Sequence, residues 1–390
     1  MRRAALLFSL SIAMILSLSL SRRILPSLLS SSKVGSSTRL YSTLGATSTD
    51  LNLSKEAISK FITGPCTFSA TTGGVNNVVQ YVEDNNGKKF VLRIYNNGRN
   101  SIRVNWEHEV LTRLSEVGPF SFKIPTTIPS LEKKSVYVPL SNGAEACLFE
   151  LIPGKLPKLT CVRDIGRASG ELVTKLENIK MPSNLKSPNA PYYDIYAVHH
   201  ATTSSNFREY TKSNVFDGIR EWIELLVKEI NEIEAKCNSK EYLSLPKQLI
   251  HGDLHYDNVL CDNGKVSGLL DFEFAAIDWR AMELAICLSK YAAEKDALSY
   301  FEEFVDGFVE HGKLTRKEVE TIPDLINLRV LSNVVYFVGR ALAQEDTIAS
   351  LLTRAETYSK RVTWIKDNKD NIINLIDKKM KIKMGKEYLS

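Results

Sequence analysis

The stretch His251-Gly252-Asp253-Leu254-His255-Tyr256-Asp257-Asn258, followed by VLCDNGKVSGLLDFE, constrains this chain more than any other. Asn258 opens a short strand, NVLC, the triplet Asp262-Asn263-Gly264 makes a turn, and KVSGLL runs back to Asp271. A hairpin brings its open ends together, so Asn258 and Asp271 become neighbours although thirteen residues apart. Asp253 lies in the loop that feeds the same end, and Leu269 and Leu270 supply an apolar, buried wall. An oxygen-rich, sulfur-free cluster of this kind suits Mg²⁺, which needs few protein ligands when phosphates and water supply the others. Asp271 offers a charged ligand and Asn258 a neutral one. That leaves Asp253 to accept a proton from a hydroxyl nucleophile, the division of labour that metal-assisted phosphoryl transfer requires. Taken alone, the same residues also read as a polar turn, so the rest of the chain decides.

Two kinds of pattern flank this segment. Strand-like runs at 76–83 and 88–95 enclose Asp84-Asn85-Asn86-Gly87, a hairpin signal, and a helix is expected over Ile102–Leu114. Further strands are expected at 136–140 and 146–152. From about Asp164 the apolar period becomes helical, first at 164–176 and then at 216–236. Between these helices, 181–214 carries Pro182, Pro188, Pro191 and a Ser/Thr cluster and reads as a long loop. Beyond residue 281 nearly everything is helical. The fold class is therefore α+β: a small antiparallel-sheet lobe over 51–152, a hinge near Glu150–Gly154, and a larger, mostly helical lobe over 153–390. The cleft between two such lobes is a natural ligand site.

At 390 residues the chain is long enough for both lobes, and 44% hydrophobic with 24% charged residues suits a globular body. The net charge of +5 has a local source. Residues 1–49 hold Arg2, Arg3, Arg22, Arg23, Lys33 and Arg39 and no acid; without those six, 44 basic residues face 45 acidic ones. The body is thus not basic, and a nucleic-acid partner is not expected. Residues 1–50 read as a targeting leader, with Arg2-Arg3, an apolar run from Ala4 to Leu20, and a Ser-rich acid-free remainder. RLYST at 39–43 is similar to a mitochondrial processing site with cleavage before Ser42. A plastid transit segment behind a signal, and the secretory pathway, are the alternatives. No stable membrane span is expected in the mature chain. The six cysteines are scattered without metal-ligand spacing and read as indifferent thiols, and the pair His199-His200 lacks further ligands in sequence.

The spacing His251-x-Asp253-x-x-x-x-Asn258, followed by Asp271-Phe272-Glu273 and DFEFAAIDWRAMELA, resembles the catalytic loop and metal-binding motif of the aminoglycoside phosphotransferase/choline kinase superfamily. The resemblance covers about 51–290. It implies a two-lobed protein-kinase-like fold, ATP and Mg²⁺ as cofactors, Asp253 as catalytic residue, and Asn258 and Asp271 as metal ligands. It also places nucleotide-binding residues in the small lobe. Gly73 and Gly74 in TTGGVNN allow backbone to approach the phosphates, although by themselves they read equally as a tight turn. Arg93 in FVLRIY stands where the superfamily's phosphate-anchoring lysine is found, a departure that keeps the charge and adds a fork of donors. Val104, Glu107, Leu111 and Leu114 share one helix face, which makes Glu107 the partner of Arg93. LFELIPG at 148–154, with Glu150, resembles the hinge whose backbone meets the adenine.

The sequence therefore reads as an ATP-dependent kinase of a small hydroxylated metabolite. Its small lobe is similar to the homoserine kinase branch, with choline or ethanolamine kinase as the alternative acceptor class. A nucleotide-binding scaffold without catalysis is the alternative of another kind. For the leader, the mature amino terminus read by mass spectrometry is expected at Ser42; an intact Met1 would remove the targeting reading.

Overall fold

Along β3 (Lys89–Tyr95) alternate residues face opposite ways, and this fixes the small lobe. In the computed structural model, which describes residues 48–71, 77–95, 101–385 and 388, Phe90, Leu92 and Ile94 are buried. They share a cluster with Val82 of β2 (Asn77–Asp84) and with Ala57, Ile58 and Phe61, in and just after helix α1 (Ser48–Ser59). The alternate set, Val79, Tyr81, Val91 and Arg93, lines an open cleft on the other side of the sheet. The β2–β3 turn is the one read from the sequence: Gly87 adopts φ +76° and its N–H donates to the Asp84 carbonyl at 3.0 Å. The Asp84 carboxylate accepts the Asn86 and Lys88 N–H groups at 2.9 and 2.8 Å.

The antiparallel sheet runs β1-β2-β3-β5-β4, with β1 at Cys66–Ala70, β4 at Val138–Pro139 and β5 at Glu145–Glu150. Helix α2 (Ser101–Val117) outruns its expected range at both ends. Neither α1 nor β1 is apparent from sequence. Helix α1 carries only Leu51, Leu53, Ala57 and Ile58 as apolar residues, and CTFSA holds a single large one.

In the helical lobe, α3 (Val162–Leu176), α4 (Arg220–Cys237), α5 (Arg280–Ser289) and α6 (Ala297–Phe308) are followed by α7 (Arg316–Leu342), α8 (Ala355–Asp367) and α9 (Lys369–Met384). Helices α3 and α6 cross where neither has a side chain. A Cβ on Gly166 would lie 1.9 Å from the Phe304 carbonyl oxygen, and one on Gly307 would lie 1.8 Å from that of Arg163. Helix α7 starts at a capping box in which the Glu318 N–H donates to Thr315 Oγ1 and the Thr315 N–H to the Glu318 carboxylate. Its length and composition would suit a membrane span, but 61% of that apolar stretch is buried inside the protein, as in a core helix. The expected loop 181–214 holds a 3₁₀ turn at Ile195–Val198 and a short helix at Ser204–Tyr210.

Two small ribbons position the segment that opened the sequence reading. Strand β6 (Lys247–Ile250) pairs antiparallel with β9 (Ala276–Trp279), and β7 (Val259–Asp262) pairs antiparallel with β8 (Lys265–Leu269). The loops 251–258 and 270–275 both run from one ribbon to the other, so they lie side by side. The hairpin closes at its root through the Leu270 N–H to the Asn258 carbonyl at 2.9 Å.

The α3–α6 crossing gives a direct test. Gly307→Leu is expected to destabilise the fold by roughly 3 kcal/mol or more in a urea titration, because backbone must move to admit the side chain. Gly218→Ala, where a Cβ meets nothing within 4 Å, is expected to stay within about 0.5 kcal/mol of the parent.

Candidate active site

The open face of the sheet, the strand-to-lobe connection 150–154 and residues 257–273 enclose a cleft of about 580 Å³, a volume suited to a nucleotide-sized ligand. Arg93, Glu107, Glu150, Asn258, Asp271 and Glu273 all reach its wall.

Asp253 stands behind Asn258. The Asn258 Nδ2 donates to the Asp253 carbonyl at 2.9 Å and to its Oδ2 at 3.2 Å, which turns the amide oxygen of Asn258 the other way. On its other oxygen, Asp253 Oδ1 accepts a 2.6 Å bond from Arg329 Nη2 of α7. Burial opposes ionisation of Asp253, but the Arg329 guanidinium and the neighbouring His255 and His251 together outweigh it and hold the carboxyl well below the usual range.

Buried groups fix the backbone of this loop. Gly252 has φ +80°, and a Cβ there would meet the Phe274 carbonyl oxygen at 2.4 Å. The His251 ring is fully buried; Nδ1 accepts the Asp253 N–H at 3.3 Å, so Nε2 carries the proton and donates to the Leu270 carbonyl at 2.9 Å. Burial lowers this imidazole to about 4, so it is neutral. Glu283 accepts the N–H groups of His251 and Gly252 at 2.6 and 3.3 Å. Asp278 accepts those of Tyr192 and Trp279, each at 2.6 Å. Both acids are buried, and burial pushes each up to about 7.

At the root of the hairpin, Asp271 takes the left-handed conformation with φ +66°, and its side chain is about one-third exposed toward the cleft. With the Asn258 amide oxygen it makes an oxygen-only donor set without thiol or imidazole, which fits a hard divalent cation. Arg93 lies beside it, buried from solvent. Its Nη1 donates to Glu107 at 2.9 Å, and its Nη2 to Glu273 at 2.6 Å and Asp271 at 3.1 Å. The pairing of Arg93 with Glu107 is the one that the helix spacing predicts, and Glu109 turns to Arg113 instead. Tyr95 Oη also donates to Glu107, at 3.1 Å. Burial pushes Glu107 up to about 7, against the pull of Arg93. Among the described residues, Arg93 Nε has no hydrogen-bond partner.

Glu150 is exposed at the end of β5, its N–H donating to the Thr126 carbonyl at 2.9 Å. Gly73 and Gly74 lie outside the described residues, as does the leader through residue 47. Sequence reasoning passed over four side chains that the fold brings in. Arg329 is one. Glu273 sits two residues after Asp271, close enough in sequence to have been considered. Asn189 and Tyr192 come from the segment read as a loop: Asn189 Nδ2 donates to the Glu273 and Ala275 carbonyls at 2.8 and 3.2 Å, and Tyr192 Oη to that of Gly252 at 2.8 Å. His199 and His200 gain a neighbour in Glu345, their ligand atoms lying within 4.8 Å of one another. Arg340 Nη1 is already 3.6 Å from that carboxylate.

Comparison with known proteins places these features in context. A family model described as "Phosphotransferase enzyme family" matches residues 67–317. Among curated relatives, a homoserine kinase of Agrobacterium fabrum is 28% identical over 188 residues, 47% of this chain and 53% of that protein. A homoserine kinase of Rhizobium meliloti is 25% identical over 240 residues, 60% of this chain and 67% of the relative. The chain thus spans about half to two thirds of the length of these relatives. Among solved structures, a microcompartment-associated aminopropanol kinase aligns with a TM-score of 0.61 at 16% identity, covering 83% of this chain and 98% of the other. An amicoumacin kinase in complex with AMP-PNP and Ca²⁺ aligns at 0.60 with 15% identity, covering 81% and 94%. At these identities the likeness shows the fold, and it is the two-lobed protein-kinase-like fold expected from the sequence.

The buried acids make stability depend on pH. Asp278 and Glu283 keep their protons up to about pH 7 when folded but ionise near pH 4 when unfolded. The native state binds more protons in that window, so stability falls as pH rises from about 4 to 7. Asp253 acts in the opposite sense: its folded pKa is depressed, so its contribution is present above about pH 4 and is lost as pH falls further. Glu107, also raised to about 7, acts in the same sense as these acids, and the buried neutral His251 acts against them. Glu283→Gln is expected to make the melting temperature fall less between about pH 5 and 8 than in the parent. An unchanged slope in that variant would show that Glu283 is ionised in the native state.

Proposed function

Because the chain belongs to the phosphotransferase enzyme family, we propose that it transfers the terminal phosphoryl group of ATP to a hydroxyl of a small metabolite, a homoserine-like amino acid alcohol being the favoured acceptor. The observation that carries this reading is Asn258 and Asp271 on the wall of the cleft with the Arg93 cluster beside them, and Asp253 hydrogen-bonded behind Asn258. The acceptor oxygen attacks the γ-phosphorus as the bond from that phosphorus to the β–γ bridging oxygen breaks. The hydroxyl proton passes to Asp253, and ADP departs with the electron pair. Asn258 and Asp271 would hold a divalent cation, Mg²⁺ in this reading, which when bound spreads the negative charge of the phosphate oxygens.

The surrounding residues orient and balance this charge. Arg93 is bonded to three carboxylates on the wall of the cleft. Glu107 and Glu273 keep the guanidinium directed at the cleft. The backbone of 150–154 would meet the adenine. Support for the acceptor comes from the curated relatives named homoserine kinase; choline or ethanolamine stays an outcome of the test. The leader, on this reading, carries the enzyme into a mitochondrion or plastid.

ADP release measured with homoserine, choline, ethanolamine and sugars separates the acceptors, and release with none of them despite ATP binding would favour a scaffold. Asp253→Asn is expected to lower kcat by about 10²–10⁴-fold while ATP affinity changes by no more than a few fold. Normal turnover in this variant would remove Asp253 from the role of base.

A further inference from the structure

Arg329 is the cation that touches the proposed base, and it comes from a helix that the catalytic motif does not include. It sits in the middle of α7, beyond residues 67–317 matched by the family model. Its side chain is 14% exposed, and it is held from three directions. Nη1 donates to Asn333 Oδ1 at 2.8 Å, Nη2 donates to Asp253 Oδ1 at 2.6 Å, and the guanidinium carbon lies 5.7 Å from the centre of the Tyr192 ring. Tyr192 is itself tied to the Gly252 carbonyl at 2.8 Å, so the guanidinium is oriented by the same loop that carries Asp253.

Arg329 stands here as a fixed positive charge bonded to Asp253. The nearby acids are engaged: Asp253 with Arg329, and Asp257 with Lys290 at 3.0 Å. A cationic amino alcohol approaching Asp253 finds that carboxylate already paired with Arg329 and gains no free counter-charge there. An anionic group meets a guanidinium held in place by Asn333 and Tyr192, and gains its second arm by displacing the Asp253 contact.

Resting on the phosphotransferase reading, we propose that Arg329 selects the acceptor by charge, binding a substrate carboxylate next to Asp253, so that hydroxy acids and hydroxy amino acids are taken and simple amino alcohols are refused. The arrangement also ties recognition to reaction. A substrate carboxylate that draws the guanidinium off Asp253 Oδ1 frees that oxygen for the incoming hydroxyl proton, so the loss on removing the carboxylate falls on kcat as well as KM.

The test compares homoserine with 3-aminopropanol, which is the same chain without the carboxylate, in steady-state ADP release by the full-length protein. The wild type is expected to favour homoserine by about 100-fold or more in kcat/KM, since a site built to pair a substrate group rejects the analogue lacking it. Arg329→Gln is expected to shrink that ratio below about 10-fold, chiefly through homoserine, and Arg329→Lys to fall between. Equal use of both acceptors by the wild type, or an unchanged ratio in Arg329→Gln, overturns the inference and leaves the phosphotransferase reading intact. Should the Gln variant fail to fold, the wild-type ratio and the Lys variant decide. Release of ADP with neither these acceptors nor choline, ethanolamine or sugars overturns the phosphotransferase reading itself, and the inference with it.

Discussion

The buried guanidinium of Arg93 is the interaction on which the cleft depends. It joins β3 of the sheet to α2 through Glu107 and to the loop after β8 through Asp271 and Glu273. Three carboxylates converging without a cation would repel one another in a low-dielectric interior, and breaking a buried ion pair leaves an uncompensated charge at a cost of about 3–5 kcal/mol. The same residue that lets the acids gather thus ties the sheet to the loops.

A second set of buried acids behaves differently. Among the described residues no guanidinium bonds Asp278 or Glu283; they receive backbone N–H groups from Tyr192, Trp279, His251 and Gly252. Acceptors of this kind fix the path of a loop without adding a mobile ion near the reaction centre. They also leave Arg329 as the cation bound directly to Asp253 among the described residues, with His255 Nε2 farther off at 3.6 Å.

What the sequence made legible was local. The hairpin at 259–269, the turn at Asp84–Gly87 and the helix carrying Glu107 each arise from signals within about fifteen residues, where turn chemistry and apolar period act directly. Asp253, Asn258 and Asp271 were legible for the same reason, since a single hairpin brings two of them together. Arg329 was not: it lies 76 positions from Asp253, in a helix whose period speaks only of the core. Asn189 and Tyr192 were hidden by a different effect. Proline and serine mark their segment as irregular, and irregular backbone gives no clue to where it docks. The helix α1 was missed because its apolar positions are few, and its burial becomes necessary only once a sheet face needs covering.

The β7–β8 hairpin keeps its chemistry at the root and its turn at the far tip, where Asp262, Asn263 and Gly264 are exposed and a Cβ on Gly264 would meet nothing within 4 Å. Reaction and connection are therefore separated along one short ribbon. A fluorophore or affinity handle grafted at that tip would ride on the segment that bears Asn258 and Asp271 while staying clear of them, making it a natural place to watch the cleft from outside.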